Sequence, residues 1–201
     1  MPRIAILISG TGTNMAEINK RVKSHDLSCE ISFVASDNPV ALGLQYAQSE
    51  GLETVLLPYG TEGRDKAEKV LHDLCCSRDV EWIVLAGFMK ILSPRFVRKW
   101  ERKIVNIHPA LLPSFPGTNG ARDAWDYGVR VTGVTVHLVD SGVDTGIILS
   151  QKAVTIEKED TLDYLVKKIH EVEYDLYWQT LKKLFQGAYS FQGRRAIDDS
   201  N

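Results

Sequence analysis

Short apolar segments rich in β-branched residues alternate with longer helical segments through the first half of this chain. The first, Arg3–Ile8, leads into a glycine-rich turn and then a helical pattern, and the same alternation continues beyond it. Strands that alternate with helices pack as a parallel sheet covered by helices. With 201 residues, of which 44% are hydrophobic, the chain can bury one sizeable core. The pattern therefore predicts an α/β fold.

The second half of the chain departs from this alternation. An alternating segment from residue 131 predicts a half-exposed strand, and a turn-rich loop connects it to a strand over residues 147–156. A strand that returns by a hairpin is antiparallel. A buried stripe, an N-cap at Thr161 and a glycine at Gly187 predict one long helix over residues 161–186. We therefore expect residues 1–201 to form a single domain with a Rossmann-like, doubly wound, mostly parallel sheet, an antiparallel C-terminal portion, a long C-terminal helix and an irregular tail over residues 188–201.

Charge and cysteine content exclude several classes of protein. The net charge is −2 with both signs interspersed, which argues against a general binder of nucleic acid or membrane surfaces. No apolar run is long enough to cross a bilayer, and residues 1–3 lack signal-peptide character, so we expect a cytoplasmic protein. The cysteines, Cys29, Cys75 and Cys76, have neither redox-motif nor zinc-site spacing, so we expect them to be reduced.

The stretch over residues 103–117 carries the strongest chemical signal. An apolar run delivers Asn106 and His108 to the point where Pro109 must stop regular strand pairing. In open α/β sheets the carboxyl ends of strands face the ligand crevice, and residues two apart share one face. An amide and an imidazole would then point toward one small ligand. The alternative is that Asn106 caps loop backbone groups and His108 is a hydrogen-bonded core histidine.

The glycine-rich turn at residues 9–14 is a candidate phosphate site. Glycines let backbone N–H groups approach an anion, and the following helix N-terminus adds partial positive charge. The turn fails the dinucleotide fingerprint, because Met15 occupies the third glycine position, and it lacks the Gly-Lys-Ser/Thr of an ATP-type loop. The alternative is a tight turn in which Thr13 or Asn14 is the N-cap.

Four further features of the sequence can be explained either by a role in ligand binding or by an ordinary structural role. Arg64 near a helix start is poorly matched to the helix dipole, so it serves an anionic ligand or is solvated. The apolar loop after the fourth strand lines a pocket for a flat group or belongs to the core. Asp140 suits a turn, whereas Asp144 can be presented into the crevice. His170 and Glu173 share a helix face or are both solvated.

Four motifs make the sequence similar to a known family. They are ISGTGTN at residues 8–14, LAGFMKILS at 85–93, NIHPALLPSFPG at 106–117 and DTG at 144–146. Through them the chain resembles the phosphoribosylglycinamide formyltransferases of the folate-dependent formyltransferase family, from Ile4 to about Phe185. The third motif is the most specific, because related formyl transferases and deformylases share only its Asn-x-His and the later Asp.

The resemblance implies a cytoplasmic purine-biosynthesis enzyme that moves a formyl group from the co-substrate 10-formyltetrahydrofolate to glycinamide ribonucleotide without a metal. It implies that Asn106, His108 and Asp144 are catalytic. It implies acceptor binding, through phosphate and ribose, by Gly12, Thr13, Asn14, His170 and Glu173. It implies folate binding by Arg64, Phe88, Met89, Leu92, Val97, Asn106, Asp140, Val143 and Asp144. The expected partners are these two small molecules, without nucleic acid or membrane, for a monomer or homodimer.

The chain departs from the family pattern at a few positions, and other functions remain as alternatives. An aromatic residue is common where this chain has Leu138, and an acidic residue is common where it has Ser141. A histidine is common at Ala121 and an arginine at Lys90. These departures leave the details of the folate loop open. A formyltetrahydrofolate deformylase would call for an additional N-terminal segment, and a methionyl-tRNA formyltransferase for a further C-terminal domain. A non-catalytic nucleotide-binding module would not need Asn106, His108 and Asp144.

Overall fold

The computed structural model describes residues 1–200 of the chain. Two compact units divide it, Met1–Val105 and Asn106–Asn201. Their boundary lies inside strand β5 (Ile104–His108), which therefore contributes residues to both units. The expectation of a single formyltransferase domain over residues 1–201 stays a prediction.

The first unit is built from strands that alternate with helices, as the sequence predicts. Its elements are β1 (Arg3–Ile8), α1 (Thr13–Lys23), β2 (Glu30–Ser36), α2 (Leu42–Ser49), β3 (Thr54–Leu56), α3 (Gly63–Ser77), β4 (Trp82–Leu85), α4 (Pro94–Lys99) and the start of β5. Strand β1 pairs in parallel with β2 and with β4, and β2 pairs in parallel with β3. The apolar run of β1 forms the centre of the core, because residues 4–8 have no exposed surface.

A buried carboxylate fixes the start of α4. Ser93 is the N-cap, its hydroxyl accepts a hydrogen bond from the Phe96 N–H at 3.2 Å, and proline follows at the first helical position. Glu68 of α3 accepts hydrogen bonds from the Ser93 N–H, at 2.6 Å, and from the Ser93 hydroxyl. These contacts satisfy a carboxylate that is only 5% exposed.

The second unit holds the antiparallel portion of the sheet. It contains the end of β5, α5 (Gly120–Tyr127), β6 (Val131–Leu138), β7 (Ile148–Thr155), α6 (Leu162–Phe185), β8 (Tyr189–Gln192) and β9 (Arg195–Asp198). Strands β6 and β7 are antiparallel. The order of the mixed seven-stranded sheet is β3-β2-β1-β4-β5-β6-β7. The predicted fold class is therefore confirmed, including the long C-terminal helix.

Two predictions for the second unit are wrong. Strand β6 is not half-exposed, because every residue after Val131 is buried and α6 packs against both β6 and β7. Residues 188–201 are not an irregular tail, because β8 and β9 pair as an antiparallel hairpin. Gln192 pairs with Arg195 across its turn, so Gly193 and Arg194 form a two-residue connection, which is a common hairpin geometry. Asn201 lies outside the described residues.

Within residues 1–200, no helix is long and apolar enough to cross a membrane. The three cysteines are free thiols, with Cys29 and Cys75 buried and Cys76 exposed on α3.

Candidate active site

The centre of the site is a carboxylate that lies between two imidazoles in the second unit. His108 ends β5 with 2% of its surface exposed, and its Nδ1 lies 3.4 Å from Asp144 Oδ2. His137, on β6 and equally buried, places Nε2 3.5 Å from Asp144 Oδ1. The structure therefore brings together His108 and Asp144, two of the three predicted catalytic residues, and adds His137, which was not predicted from the sequence.

Backbone groups hold Asp144 in this position. The residue has a φ of 52°, in the left-handed region that non-glycine residues rarely occupy. The Gly117 N–H donates a hydrogen bond to Asp144 Oδ2 at 2.8 Å. At Gly146 a Cβ would lie 1.6 Å from the Leu138 carbonyl oxygen, so the loop returns closely against the end of β6. The turn-rich loop therefore holds Asp144 with a constrained backbone.

The hydrogen bonds of His108 indicate its tautomer. Nε2 lies 2.7 Å from the Phe115 carbonyl oxygen, which can only accept, so we assign the proton to Nε2. Burial lowers the pKa of His108, although the Asp144 carboxylate and the Phe115 carbonyl oppose that effect. Burial would raise the pKa of Asp144, but the His137 side chain, the Gly117 N–H and His108 together hold it below its usual value. A neutral imidazole beside an ionised carboxylate is the resulting resting state.

Asn106 joins the group through His137. Its Nδ2 lies 3.3 Å from His137 Nε2, while His137 Nδ1 lies 3.1 Å from the Leu138 carbonyl oxygen. His137 Nε2 therefore faces both the Asn106 amide, at 3.3 Å, and the Asp144 carboxylate, at 3.5 Å. The amide has a second N–H for a ligand. The sequence did not single out His137, because its strand was predicted to be half-exposed and its burial is evident only in the structure.

Gly120 supplies the space that His108 occupies. A Cβ at Gly120 would lie 2.9 Å from His108 Nε2 and 3.1 Å from the Ala110 Cβ, which is closer than side chains normally approach. The absence of a side chain at the start of α5 is therefore part of how the imidazole is positioned.

Gly120→Ala is expected to lower turnover although alanine is the better helix former by about 1 kcal/mol. The new methyl group would displace the imidazole from its hydrogen bond to Phe115. Steady-state kinetics with a thermal melt of each variant measure the effect. Gly60→Ala is the matched control, because a Cβ there meets nothing within 4 Å. Full turnover by a folded Gly120→Ala enzyme would contradict the positioning role.

The glycine-rich turn leaves the start of α1 without a side-chain cap. Gly12 is the N-cap with a φ of 72°, and no side chain caps the helix, so neither Thr13 nor Asn14 is the N-cap. The left-handed backbone at Gly12 explains this, because the helix already begins at Thr13. A Cβ at Gly12 would lie 2.9 Å from the Gly43 Cα. The N–H groups at the start of α1 thus belong to a tightly packed turn.

The predicted apolar loop lies beside this turn within the first unit. The Ser9 N–H donates to the Gly87 carbonyl at 2.9 Å, and the Met89 N–H donates to the Ser9 hydroxyl at 2.8 Å. Phe88 is buried and meets the Tyr59 ring edge-on at a centroid distance of 5.8 Å. Leu92 and Val97 are also buried, whereas 55% of Met89 is exposed. Arg64 is exposed in the first turn of α3.

Asp140 and Val143 have different positions in the loop that carries Asp144. Asp140 Oδ1 accepts hydrogen bonds from the Gly142 N–H at 3.0 Å and the Thr145 hydroxyl at 2.6 Å, which is the turn role that its sequence context suggests. Val143 is 47% exposed.

Glu173 and His170 form an ion pair on α6. Their separation is 2.8 Å between His170 Nδ1 and Glu173 Oε2, and the side chain of Glu173 is 5% exposed. Glu173 is therefore not solvated, so the interpretation in which both residues are solvated is wrong. The hydrogen bond to Glu173 raises the pKa of His170 above its ordinary value, against an opposing effect of burial.

The contribution of His170 to stability is expected to fall as the pH rises. A histidine whose pKa is higher in the folded state stabilises fully below its unfolded pKa of about 6.5 and loses that contribution above its folded pKa. The loss should be about 1 kcal/mol or less, because 46% of the side chain is exposed. Urea unfolding at pH 5.5 and 8.5 should show a smaller pH effect for His170→Gln than for the parent. Equal pH effects would contradict the ion pair.

Among residues 1–200, no group of three or more histidine, cysteine, aspartate or glutamate side chains could hold a metal ion.

Comparisons with known proteins place this geometry in a family. A family model described as formyl transferase matches residues 2–181. The phosphoribosylglycinamide formyltransferase of Bacillus subtilis is 34% identical over 185 residues, which cover 92% of this chain and 95% of that protein. The chicken trifunctional purine biosynthetic protein adenosine-3 is 41% identical over 191 residues, but this chain spans only 19% of its length.

Solved structures agree with the sequence comparisons. Glycinamide ribonucleotide transformylase 1 of Symbiobacterium toebii superposes with a TM-score of 0.94 at 33% identity, covering 98% of this chain and 94% of that one. The phosphoribosylglycinamide formyltransferase of Bacillus halodurans gives a TM-score of 0.88 at 40% identity, covering 92% and 96%. A formyltetrahydrofolate deformylase of Pseudomonas syringae has a TM-score of 0.91 at 23% identity, which shows a shared fold alone. With its family match and the nearly full-length relatives, this chain belongs to the formyl transferase family, among the phosphoribosylglycinamide formyltransferases.

Proposed function

We propose that this chain transfers the formyl group of 10-formyltetrahydrofolate to the amine of glycinamide ribonucleotide. The products are N-formylglycinamide ribonucleotide and tetrahydrofolate, as a step of de novo purine biosynthesis. The observation that carries the proposal is the Asp144 carboxylate between the buried imidazoles of His108 and His137, with the Asn106 amide bound to His137. The names of the full-length relatives supply the acceptor.

The proposed chemistry is a direct transfer. The amine nitrogen forms a bond to the formyl carbon, and negative charge develops on the formyl oxygen. The second N–H of Asn106 donates a hydrogen bond to that oxygen. Protonation of His108 adds a further donor, the Nδ1–H, because its Nε2–H already donates to Phe115. The bond between the formyl carbon and N10 then breaks, while a proton lost by the amine reaches N10.

Asp144 assists this proton movement. Its carboxylate lies 3.4 Å from His108 Nδ1 and favours the protonated imidazole, because its negative charge opposes the lowering of the His108 pKa by burial. A carboxylate with a low pKa is also available at neutral pH to take up the amine proton, directly or through water. The low pKa of Asp144 therefore suits a group that must be ionised before the reaction begins.

The two substrates are assigned to different groups of residues. The proposal places the acceptor phosphate at Gly12, Thr13 and Asn14, because the N-terminus of α1 lacks a side-chain cap. It places the ribose at Glu173, a buried carboxylate that pairs with His170. It assigns folate binding to Arg64, Phe88, Met89, Leu92, Val97, Asp140 and Val143. The exposed apolar surface of Met89 and Val143 supports this part of the assignment.

A formyl-transfer assay with and without glycinamide ribonucleotide tests the proposal. We expect tetrahydrofolate to form only when the ribonucleotide is present, with one formylated product per tetrahydrofolate. Tetrahydrofolate release with water as the sole acceptor would identify a deformylase. Saturable binding of the ribonucleotide without any turnover would identify a binding module. Either of these results would overturn the proposed transferase.

We also propose that the protein is a cytoplasmic monomer or homodimer that acts on small molecules, without nucleic acid or membrane partners. Light scattering across a range of protein concentrations separates the monomer from the homodimer.

A further inference from the structure

The C-terminal hairpin lies beyond the residues that the family model matches, yet it contacts the loop that carries Asp144. The family match ends at residue 181, whereas β8 and β9 span Tyr189–Gln192 and Arg195–Asp198. At the turn between them, the Arg194 guanidinium donates from Nη2 to the Thr145 carbonyl oxygen at 2.5 Å. The two residues are 49 positions apart, so this bond connects distant parts of the second unit.

The other end of the hairpin is fixed to α6. Lys183 forms an ion pair with Asp198 at 2.5 Å, and the Asp199 N–H donates to the Ala188 carbonyl at 2.8 Å. The bond to Lys183, with the Ser200 hydroxyl and N–H, lowers the pKa of Asp198 to about 2. Strand β9 also contacts β7. Arg194 therefore extends from a supported hairpin rather than from a free chain end.

The hydroxyl and the carbonyl of Thr145 are each hydrogen-bonded to another residue. Its hydroxyl donates to Asp140 Oδ1 at 2.6 Å, and its carbonyl accepts from Arg194. Thr145 directly follows Asp144, whose φ of 52° needs support from its surroundings. Asp140 restrains the loop from within, and Arg194 restrains it from the hairpin.

We propose that Arg194 is a positioning residue for Asp144. By holding the Thr145 carbonyl, Arg194 keeps the loop in the conformation that places the Asp144 carboxylate between His108 and His137. The inference rests on the proposed function where it concerns turnover, but the restraint of the loop is independent of the reaction. Arg194 is solvent-exposed, so the expected effect is moderate.

Three full-length variants test the inference: Arg194→Ala, Arg194→Lys and Arg195→Ala. Arg195 is the matched control, because it is the exposed neighbour at the start of β9. Arg194→Ala should lower kcat about three- to tenfold, as expected for loss of one charge-assisted hydrogen bond at the surface. The KM for glycinamide ribonucleotide should stay within about twofold. Lysine should restore part of the loss, because an ammonium group can also donate to the carbonyl.

Hydrogen exchange of the backbone amides over residues 142–147 supplies a readout that needs no substrate. Arg194→Ala should speed exchange there about three- to tenfold, while exchange in β1 and β4 stays unchanged. If exchange and kcat in Arg194→Ala match those of Arg195→Ala, the positioning role is wrong. If exchange increases but the parent enzyme transfers no formyl group, the restraint stands and the proposed function fails.

Discussion

Asp144→Asn is expected to lower kcat for formyl transfer by about 10² to 10⁴-fold, with KM for either substrate changed far less. Asparagine keeps the size of the side chain and an oxygen that can accept from the Gly117 N–H. It removes the charge that favours protonated His108 and the group that takes up the amine proton. Because both roles belong to the transition state, the loss should appear in kcat.

A matched control separates this effect from a general loss of surface charge. Asp163→Asn makes the same chemical change at an exposed position in the first turn of α6, and it should leave kcat unchanged. Circular dichroism and thermal melts should show that both variants are folded. A loss confined to KM, or a similar loss in both variants, would contradict the role of Asp144.

His108→Ala is expected to reduce kcat by about 10² to 10³-fold, which is the range for removing one donor that stabilises a developing oxyanion. The change also removes the donor to Phe115 and leaves a space beside Gly120 in a buried site. Stability should therefore fall as well. His108→Gln fills more of that space and can donate one hydrogen bond, so it should fold better than the alanine variant and still turn over slowly.

The pH dependence of the histidine variants provides the sharper test. If His108 contributes through its protonated form, its removal should abolish the limb of the kcat profile that falls as the pH rises through the pKa of this group. His25→Asn is the control, because His25 is exposed and has a φ of 63°, a conformation that asparagine tolerates. A His108 variant that keeps the parent profile at a lower rate would assign the titration to another residue.

Much of the first unit could be predicted because its signals are local. The apolar run at Arg3–Ile8 ends where a glycine turn begins, and the predicted strand has the observed bounds. The start of α4 also has a local signal, because the N-cap hydroxyl of Ser93 and the proline at the first helical position act within one turn. Asn106 and His108 stood out because polar groups at the end of a buried strand require partners.

The features that were missed depend on contacts between distant segments. The alternation in β6 suggested one solvent-facing side, but every residue after Val131 is buried and α6 packs against the strand. That burial is not encoded within the strand itself. His137 becomes significant only when Asp144 and Asn106 are placed beside it. The hairpin after Gly187 has short strands of mixed polarity, and ion pairing between Lys183 and Asp198 helps hold it against α6.

The close approach of Gly12 and Gly43 has a consequence for engineering this protein. A Cβ at Gly12 would lie 2.9 Å from the Gly43 Cα. A Cβ at Gly43 would lie 3.0 Å from the Gly12 Cα and 2.5 Å from the Ile8 Cδ1. A library that varies either position alone is therefore expected to be strongly enriched in glycine, because the backbone of the other residue leaves little room for a side chain. Gly12 and Gly43 would have to be randomised together with Ile8. The residues that must be varied together therefore lie in the turn, in the strand before it and at the start of α2.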